Sequence, residues 1–226
     1  AAAACPGVPL VVSLHGSDVY VAERHAIARR VARAVFRRAG WTTACSDDLR
    51  ARAVAIGAAP ERSSTVPYGV DAGRFRPDAP ARRRRRLELG VSDDQPLLFA
   101  AGRFVRKKGF EYLIDAAARL APRRPMLRLV IGGAGDLDRE LRERAAAHGI
   151  ADRVIFPGVL AQGDVAEFLA AADVAIVPSV RDDAGNVDGL PNVVMEALAS
   201  GTPLIATTAG GIAAVARDNH NAVLVA

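Results

Sequence analysis

Leu97-Leu98-Phe99-Ala100-Ala101-Gly102-Arg103-Phe104-Val105-Arg106-Lys107-Lys108-Gly109-Phe110 reads as a buried strand, a short basic loop and the opening of a helix. Five apolar residues without polar alternation predict a strand covered on both faces, as in a parallel sheet wrapped by helices. The helical spacing that follows runs over 110–120. The same unit recurs on both sides of it. Short apolar or β-branched runs lie at 10–14, 65–67, 97–101, 127–131, 154–156, 174–177, 204–206 and 222–225. Helical patterns fall at 22–39, 47–56, 110–120, 137–148, 165–171, 191–199 and 212–216. Strand and helix alternating in this way predict an α/β protein with parallel sheets.

One stretch breaks the alternation. Residues 76–95 hold Pro77, Pro80, an unbroken arginine run from Arg82 to Arg86, and the polar Ser92-Asp93-Asp94-Gln95. This composition predicts a linker. The expected organisation is a first domain at 1–76, a linker at 77–95 and a second domain at 96–226. Too few strands precede the linker to close a doubly wound domain, so the first is expected to be incomplete. The chain also stops on Ala226 within a strand pattern, and both ends are expected to be cut.

The 226 residues are 50% hydrophobic and 24% charged, the balance of a globular protein of one or two domains. No apolar run reaches the roughly 18 residues needed to span a bilayer. The alanine-rich opening through Cys5-Pro6-Gly7 has no basic flank and is not read as a signal peptide, which points to the cytoplasm. Cys5 and Cys45 have neither metal-clip nor redox spacing and are read as small buried or half-buried side chains.

The net charge of +5 favours anionic partners. Part of the excess is the Arg82 to Arg86 run. Another part, Arg29, Arg30, Arg33, Arg37 and Arg38, shares a helical segment with an apolar stripe of Ile27, Val31 and Val35. Such runs read either as solvated faces or as surfaces that lean on acidic lipid, here at the inner face of the membrane. Aromatic residues are not interleaved with the arginines, so nucleic acid is not an expected partner.

In open parallel sheets ligands gather outside the carboxyl ends of the strands. Four loops there are unusual. In the first, Gly102 and Gly109 bracket four cations, among which Arg103 and Lys108 suit a polyanion; solvated surface charge is the alternative. The second, Gly132-Gly133-Ala134-Gly135-Asp136, lets backbone pass close to a ligand or turns the chain beside a pocket. The third runs Asp188-Gly189-Leu190-Pro191-Asn192-Val193-Val194-Met195-Glu196 into a helix. Pro191 suits a first helical position, and no Ser, Thr, Asp or Asn stands directly before it, so a ligand oxygen could complete the first-turn amides. Glu196, inside an otherwise apolar helix, needs a hydrogen-bonding partner such as a ribose diol, or else faces water. The fourth is His15-Gly16-Ser17-Asp18, whose histidine is either structural or aimed into a crevice.

Taken in order, His15-Gly16-Ser17-Asp18, Val66-Pro67-Tyr68-Gly69-Val70-Asp71, Gly102-Arg103 with Lys108-Gly109, Asp188 to Glu196, Ser200-Gly201-Thr202-Pro203 and Gly210-Gly211-Ile212 resemble retaining GT-B glycosyltransferases of the glycogen-synthase and sucrose-synthase kind. The resemblance implies two Rossmann-like doubly wound domains, the nucleotide-sugar donor held mainly by the second and the acceptor by the first. It implies that Arg103 and Lys108 clamp the donor diphosphate and stabilise it as a leaving group. Glu196 would bind the ribose hydroxyls, and Gly102, Gly133 and the backbone of Gly189, Leu190, Pro191 and Asn192 would meet the donor. His15 would approach the donor sugar from the opposite wall. Neither cofactor nor metal is implied. The acceptor would be a glycan, a lipid-linked sugar or a small molecule.

The family pattern has two carboxylates separated by seven residues, usually both glutamate, whereas the first here is Asp188, one methylene shorter. Two other readings share the motifs: a nucleotide-sugar epimerase of the same architecture and a non-catalytic nucleotide-sugar-binding fragment.

Overall fold

The computed structural model describes residues 8–225; Cys5, the remainder of the opening segment and Ala226 lie outside them. The chain forms two compact units. Of the described residues, the first unit takes 8–68 with Arg181–Pro191 and Ala209–Val215, and the second takes Gly69–Val180, Asn192–Thr208 and 216–225. The α/β class with parallel sheets is the one expected from the alternation.

The first unit carries β1 (Val11–Leu14), α1 (Ser17–Arg24), α2 (Ala26–Arg38), β2 (Trp41–Ala44), α3 (Asp47–Ile56) and β3 (Ser63–Thr65). Its three strands are parallel in the order β1-β2-β3. The single helix expected over 22–39 is two, divided at His25, whose extended backbone (φ −113°) ends one helix and opens the next. Strand β2 escaped the sequence reading because Thr42 and Thr43 interrupt its apolar character, yet it is the central strand, pairing Val11 with Trp41 and Thr42 with Ser63. That pairing also sets the third strand at Ser63–Thr65 rather than 65–67, ahead of Pro67, which has no N–H to donate. Helix α3 begins on Ser46, whose side chain accepts the Leu49 N–H at 3.3 Å, and buries Leu49, Ala53 and Ile56.

The second unit carries α4 (Ala79–Glu88), β4 (Leu97–Ala101), α5 (Phe110–Leu120), β5 (Arg128–Gly132), α6 (Asp138–Ala147), β6 (Val154–Ile155), α7 (Gln162–Ala171), β7 (Val174–Val177), α8 (Asn192–Ala199), β8 (Leu204–Thr207) and β9 (Val223–Val225). All six strands are parallel, in the order β6-β5-β4-β7-β8-β9. Both faces are covered, as the unbroken apolar strands require. Phe110, Leu113 and Ile114 of α5 and Leu141 of α6 pack with Ala100, Leu129 and Ile131 on one side. Phe168 of α7 stacks on Phe99 of β4 on the other, with centroids 5.3 Å apart. The helix expected over 212–216 is a single 3₁₀ turn, Ile212–Ala214.

The stretch 77–95, expected as a linker, holds helix α4, packed on α7 within the second unit. Asp78 caps it by accepting the Ala81 N–H at 2.8 Å, and Pro80 sits in its first turn. The arginine run is a clamp. Arg86, 2% exposed, donates to the carbonyls of Ala171 at 3.0 Å, Ser92 at 2.6 Å and Gln95 at 2.6 Å and to the Asp173 carboxylate at 3.2 Å. Arg82 reaches the other oxygen of Asp173 at 2.7 Å, and Arg85 lies over the Phe168 ring, 4.7 Å from its centroid. Burial works against the charge on Asp173, but the Arg82 hydrogen bond, the Leu97 N–H and the Arg86 guanidinium outweigh it and hold the carboxyl below its ordinary range. The run reads as solvated charge because the carboxylates that pair with Arg82, Arg85 and Arg86 lie 79 to 91 residues away.

Candidate functional site

The strand order of the second unit reverses between β4 and β7, the kind of switch point beside which ligands gather in open parallel sheets. The loop after β4 begins at Gly102, makes a 3₁₀ turn over Arg106–Lys108 and enters α5 through Gly109. Gly109 is left-handed (φ 64°), and a Cβ there would lie 2.0 Å from the Pro178 carbonyl oxygen after β7. Only glycine satisfies both conditions. Beside this contact the Val180 N–H donates to the Lys107 carbonyl at 2.9 Å, and the Thr207 hydroxyl donates to the carbonyl of Ser179. The ends of β4, β7 and β8 are thereby tied together under the basic loop.

The glycine loop after β5 supports the same loop from the other side. A Cβ on Gly133 (φ 140°) would fall 1.9 Å from the Gly102 carbonyl oxygen, and the Gly133 N–H already donates to Gly158 at 2.7 Å. Phe104 N–H donates to the Ala134 carbonyl at 2.8 Å. Gly133 thus stands in the structure as a packing residue beside Gly102, with its own amide engaged.

Of the four loop cations, Arg106 is held by Glu140, with two contacts of 2.6 and 2.7 Å, and by Glu111 at 3.4 Å. Arg103 is exposed and has no side-chain partner among the described residues. Lys108 is half-buried and lies across Gly102, its Cε 3.3 Å from where a Cβ would be. Helix α8 follows the β7 loop and buries Val193, Val194 and Ala197 against the sheet, with Asn192 exposed at its start. Glu196 is half-buried on this helix, has no side-chain partner among the described residues, and burial raises its carboxyl above the ordinary value. A half-buried carboxylate without a protein side-chain partner among the described residues is one that a ligand hydroxyl or water can reach.

In the first unit, the His15-Gly16 turn after β1 packs on the segment that contains Asp188 and Gly189. A Cβ on Gly189 would meet the His15 carbonyl oxygen at 2.5 Å and the Cys45 sulfur at 2.7 Å. Cβ atoms on Gly210 and Gly211 would each lie 1.9 Å from a carbonyl oxygen, those of Asp188 and Gly189. Three backbone segments meet here at separations that exclude any side chain. Asp188, Gly189, Leu190 and Pro191 are buried. His15 is exposed, and its Nδ1 lies 2.7 Å from the Tyr68 hydroxyl. Cys45 is buried, as its lack of a redox or metal partner suggested. Tyr68 and Cys45 were not among the residues the sequence singled out for a role, although Tyr68 lies within the Val66 to Asp71 motif; β-sheet pairing brings them to His15.

Known proteins place the chain. A family model described as glycosyl transferases group 1 matches residues 81–226, and one described as glycosyltransferase family 4 matches residues 1–74. A D-inositol 3-phosphate glycosyltransferase of Geodermatophilus obscurus is 39% identical over 80% of this chain and 40% of its own length. A GDP-mannose-dependent alpha-(1-6)-phosphatidylinositol monomannoside mannosyltransferase of Mycobacterium tuberculosis is 35% identical over 86% of this chain and 52% of its own length. The chain therefore spans about half the length of these relatives. Among solved structures, Anabaena HepE in complex with UDP and glucose superimposes with a TM-score of 0.84 at 24% identity, over 96% of this chain and 57% of that one. The shared architecture is the GT-B type implied by the motif order.

Proposed function

The chain belongs to the glycosyl transferases group 1 family, and from that premise we propose that it holds a nucleotide-sugar donor and serves transfer of the sugar to an acceptor hydroxyl with retention of anomeric configuration. The observation that carries this reading is the switch point of the second sheet, where an exposed Arg103 and the overlying Lys108 share one glycine-bracketed loop, and α8, which follows the neighbouring loop, bears the unpartnered Glu196.

Arg103 and Lys108 receive the diphosphate and offset the charge that grows on it as the glycosidic bond breaks. Fixed cations do this without reorganising as the charge develops. Glu196 accepts hydrogen bonds from the ribose diol, a partner that relieves its desolvation. Asp188 and the backbone of Gly189 to Asn192 meet sugar and phosphate oxygens, and His15 contacts a sugar hydroxyl. With cations supplied by the protein, leaving-group stabilisation runs without a metal, so a chelator leaves the rate unchanged. The names of the two curated relatives support an acceptor of the inositol class, free or lipid-linked.

Helix α2 supports peripheral contact with acidic membrane. Ile27 and Val31 are 77% and 59% exposed, with Arg30, Arg37 and Arg38 exposed on the same helix. Among the described residues no helix is long and apolar enough to cross a membrane, so the contact is one of surface. Co-sedimentation with anionic vesicles at low salt, lost with Ile27→Glu, tests it.

Calorimetric titration with UDP, GDP and ADP sugars tests the main reading. Saturable binding of at least one supports it, and indifference to all of them refutes it. The anomeric configuration of the product, read by NMR, separates retention from inversion.

A further inference from the structure

Tyr68 takes no part in the function as stated so far, yet it is the residue that touches His15. Its Oη lies 2.7 Å from His15 Nδ1, and the two rings stack with centroids 5.6 Å apart and planes 12° apart. Behind this pair Cys45 is buried between the end of β2 and Gly189. We propose that Tyr68 is a positioning residue that fixes His15 in the tautomer protonated on Nε2, so that the imidazole offers an N–H, and no lone pair, to a hydroxyl of the donor sugar.

The direction of the chain follows from the inventory of donors. A phenol has one proton and a neutral imidazole has one bare nitrogen, a much stronger acceptor than a thiol sulfur. Tyr68 therefore donates to Nδ1. Burial chiefly, with the nearby Asp18 and Asp188, raises the phenol above its ordinary value, so it keeps the proton it donates. Burial likewise raises the Cys45 thiol and keeps its S–H. With Nδ1 accepting, the ring proton of neutral His15 resides on Nε2. Stacking holds the ring plane, and Gly189, with room for no side chain against the His15 carbonyl, holds the backbone. In this arrangement Nε2 cannot act as a base. It is a hydrogen-bond donor to an oxygen.

The inference rests on the reading of His15 as a sugar contact, and two measurements on the full chain keep the parts separate. Long-range ¹⁵N–¹H correlation NMR at alkaline pH, with the signal assigned through His15→Gln, reports the tautomer. The expected result is an Nε2–H imidazole in the wild type and loss of that preference in Tyr68→Phe, which keeps the ring and removes the hydroxyl. An Nδ1–H imidazole in the wild type, or an unchanged spectrum in Tyr68→Phe, overturns the proposal. The wild-type spectrum decides alone should the variant not fold. Calorimetry then compares a nucleotide sugar with its nucleoside diphosphate. Tyr68→Phe should weaken the former about five-fold and leave the latter unchanged, the size of one hydrogen bond. A shifted tautomer with unaltered nucleotide-sugar affinity overturns the sugar contact and leaves the tautomer assignment standing.

Discussion

The Val180 N–H donates to the Lys107 carbonyl across 2.9 Å, joining the loop that leaves β4 to the loop that leaves β7 where the strand order reverses. A hydrogen bond between two loops, made by backbone alone, needs no side chain of the basic loop. It also makes the shape of that loop depend on glycine rather than on any cation in it.

Gly109→Ala is accordingly expected to be severe. The left-handed backbone alone disfavours alanine by about 1–2 kcal/mol, and the added methyl would meet the Pro178 oxygen at 2.0 Å. Denaturant titration should show a loss of at least about 2 kcal/mol, accompanied by loss of nucleotide binding. An exposed glycine with open space around it, such as Gly149, gives the control for backbone strain without the clash.

Asp173 holds the arginine clamp, so Asp173→Asn leaves Arg86 buried without its carboxylate. The expected cost is about 1.5–3 kcal/mol, that of hydrogen bonds to a partly buried charged group. Because the folded-state carboxyl is held below its unfolded value, its contribution is present at neutral pH and is lost as pH falls through the folded value. The variant's acid unfolding should therefore be shallower than the wild type's.

Glu196 gives the opposite sign. Its carboxyl is raised in the fold, so stability falls as pH climbs from the ordinary glutamate value through the raised one. Glu196→Gln should raise the melting temperature of the ligand-free protein near neutral pH, while weakening nucleotide-sugar binding. Paired thermal melts with and without ligand read both effects. A variant that is less stable without ligand would contradict the assignment.

Gly189→Ala tests the first unit. A methyl there would press on the His15 carbonyl oxygen at 2.5 Å and the Cys45 sulfur at 2.7 Å. The sheet should survive, while His15 and Tyr68 shift together in NMR spectra. Shifts confined to residues 186–192 would contradict this packing.

Much of this was legible in the sequence where one segment carries its own signal. Strands β4 and β7 and helices α3 and α5 begin and end where the apolar pattern does. Arg103, Lys108 and Glu196 stood out because glycines bracket the cations and a carboxylate interrupts an apolar helix. What the sequence concealed depends on partners far along the chain. Helix α4 is stabilised by α7, β2 by strands on both sides, and the contact of His15 with Tyr68 spans 53 residues. No window of 10 or 15 residues contains those relations.

The central claim is that the basic loop at the switch point binds the donor diphosphate, and calorimetric titration of the wild type and Arg103→Ala with nucleoside diphosphates tests it most directly. The expected result is saturable binding by the wild type to at least one of UDP, GDP and ADP, and affinity about 10- to 100-fold lower in the variant, the loss of one charged hydrogen-bonding group. Equal affinity in the two proteins would contradict the account.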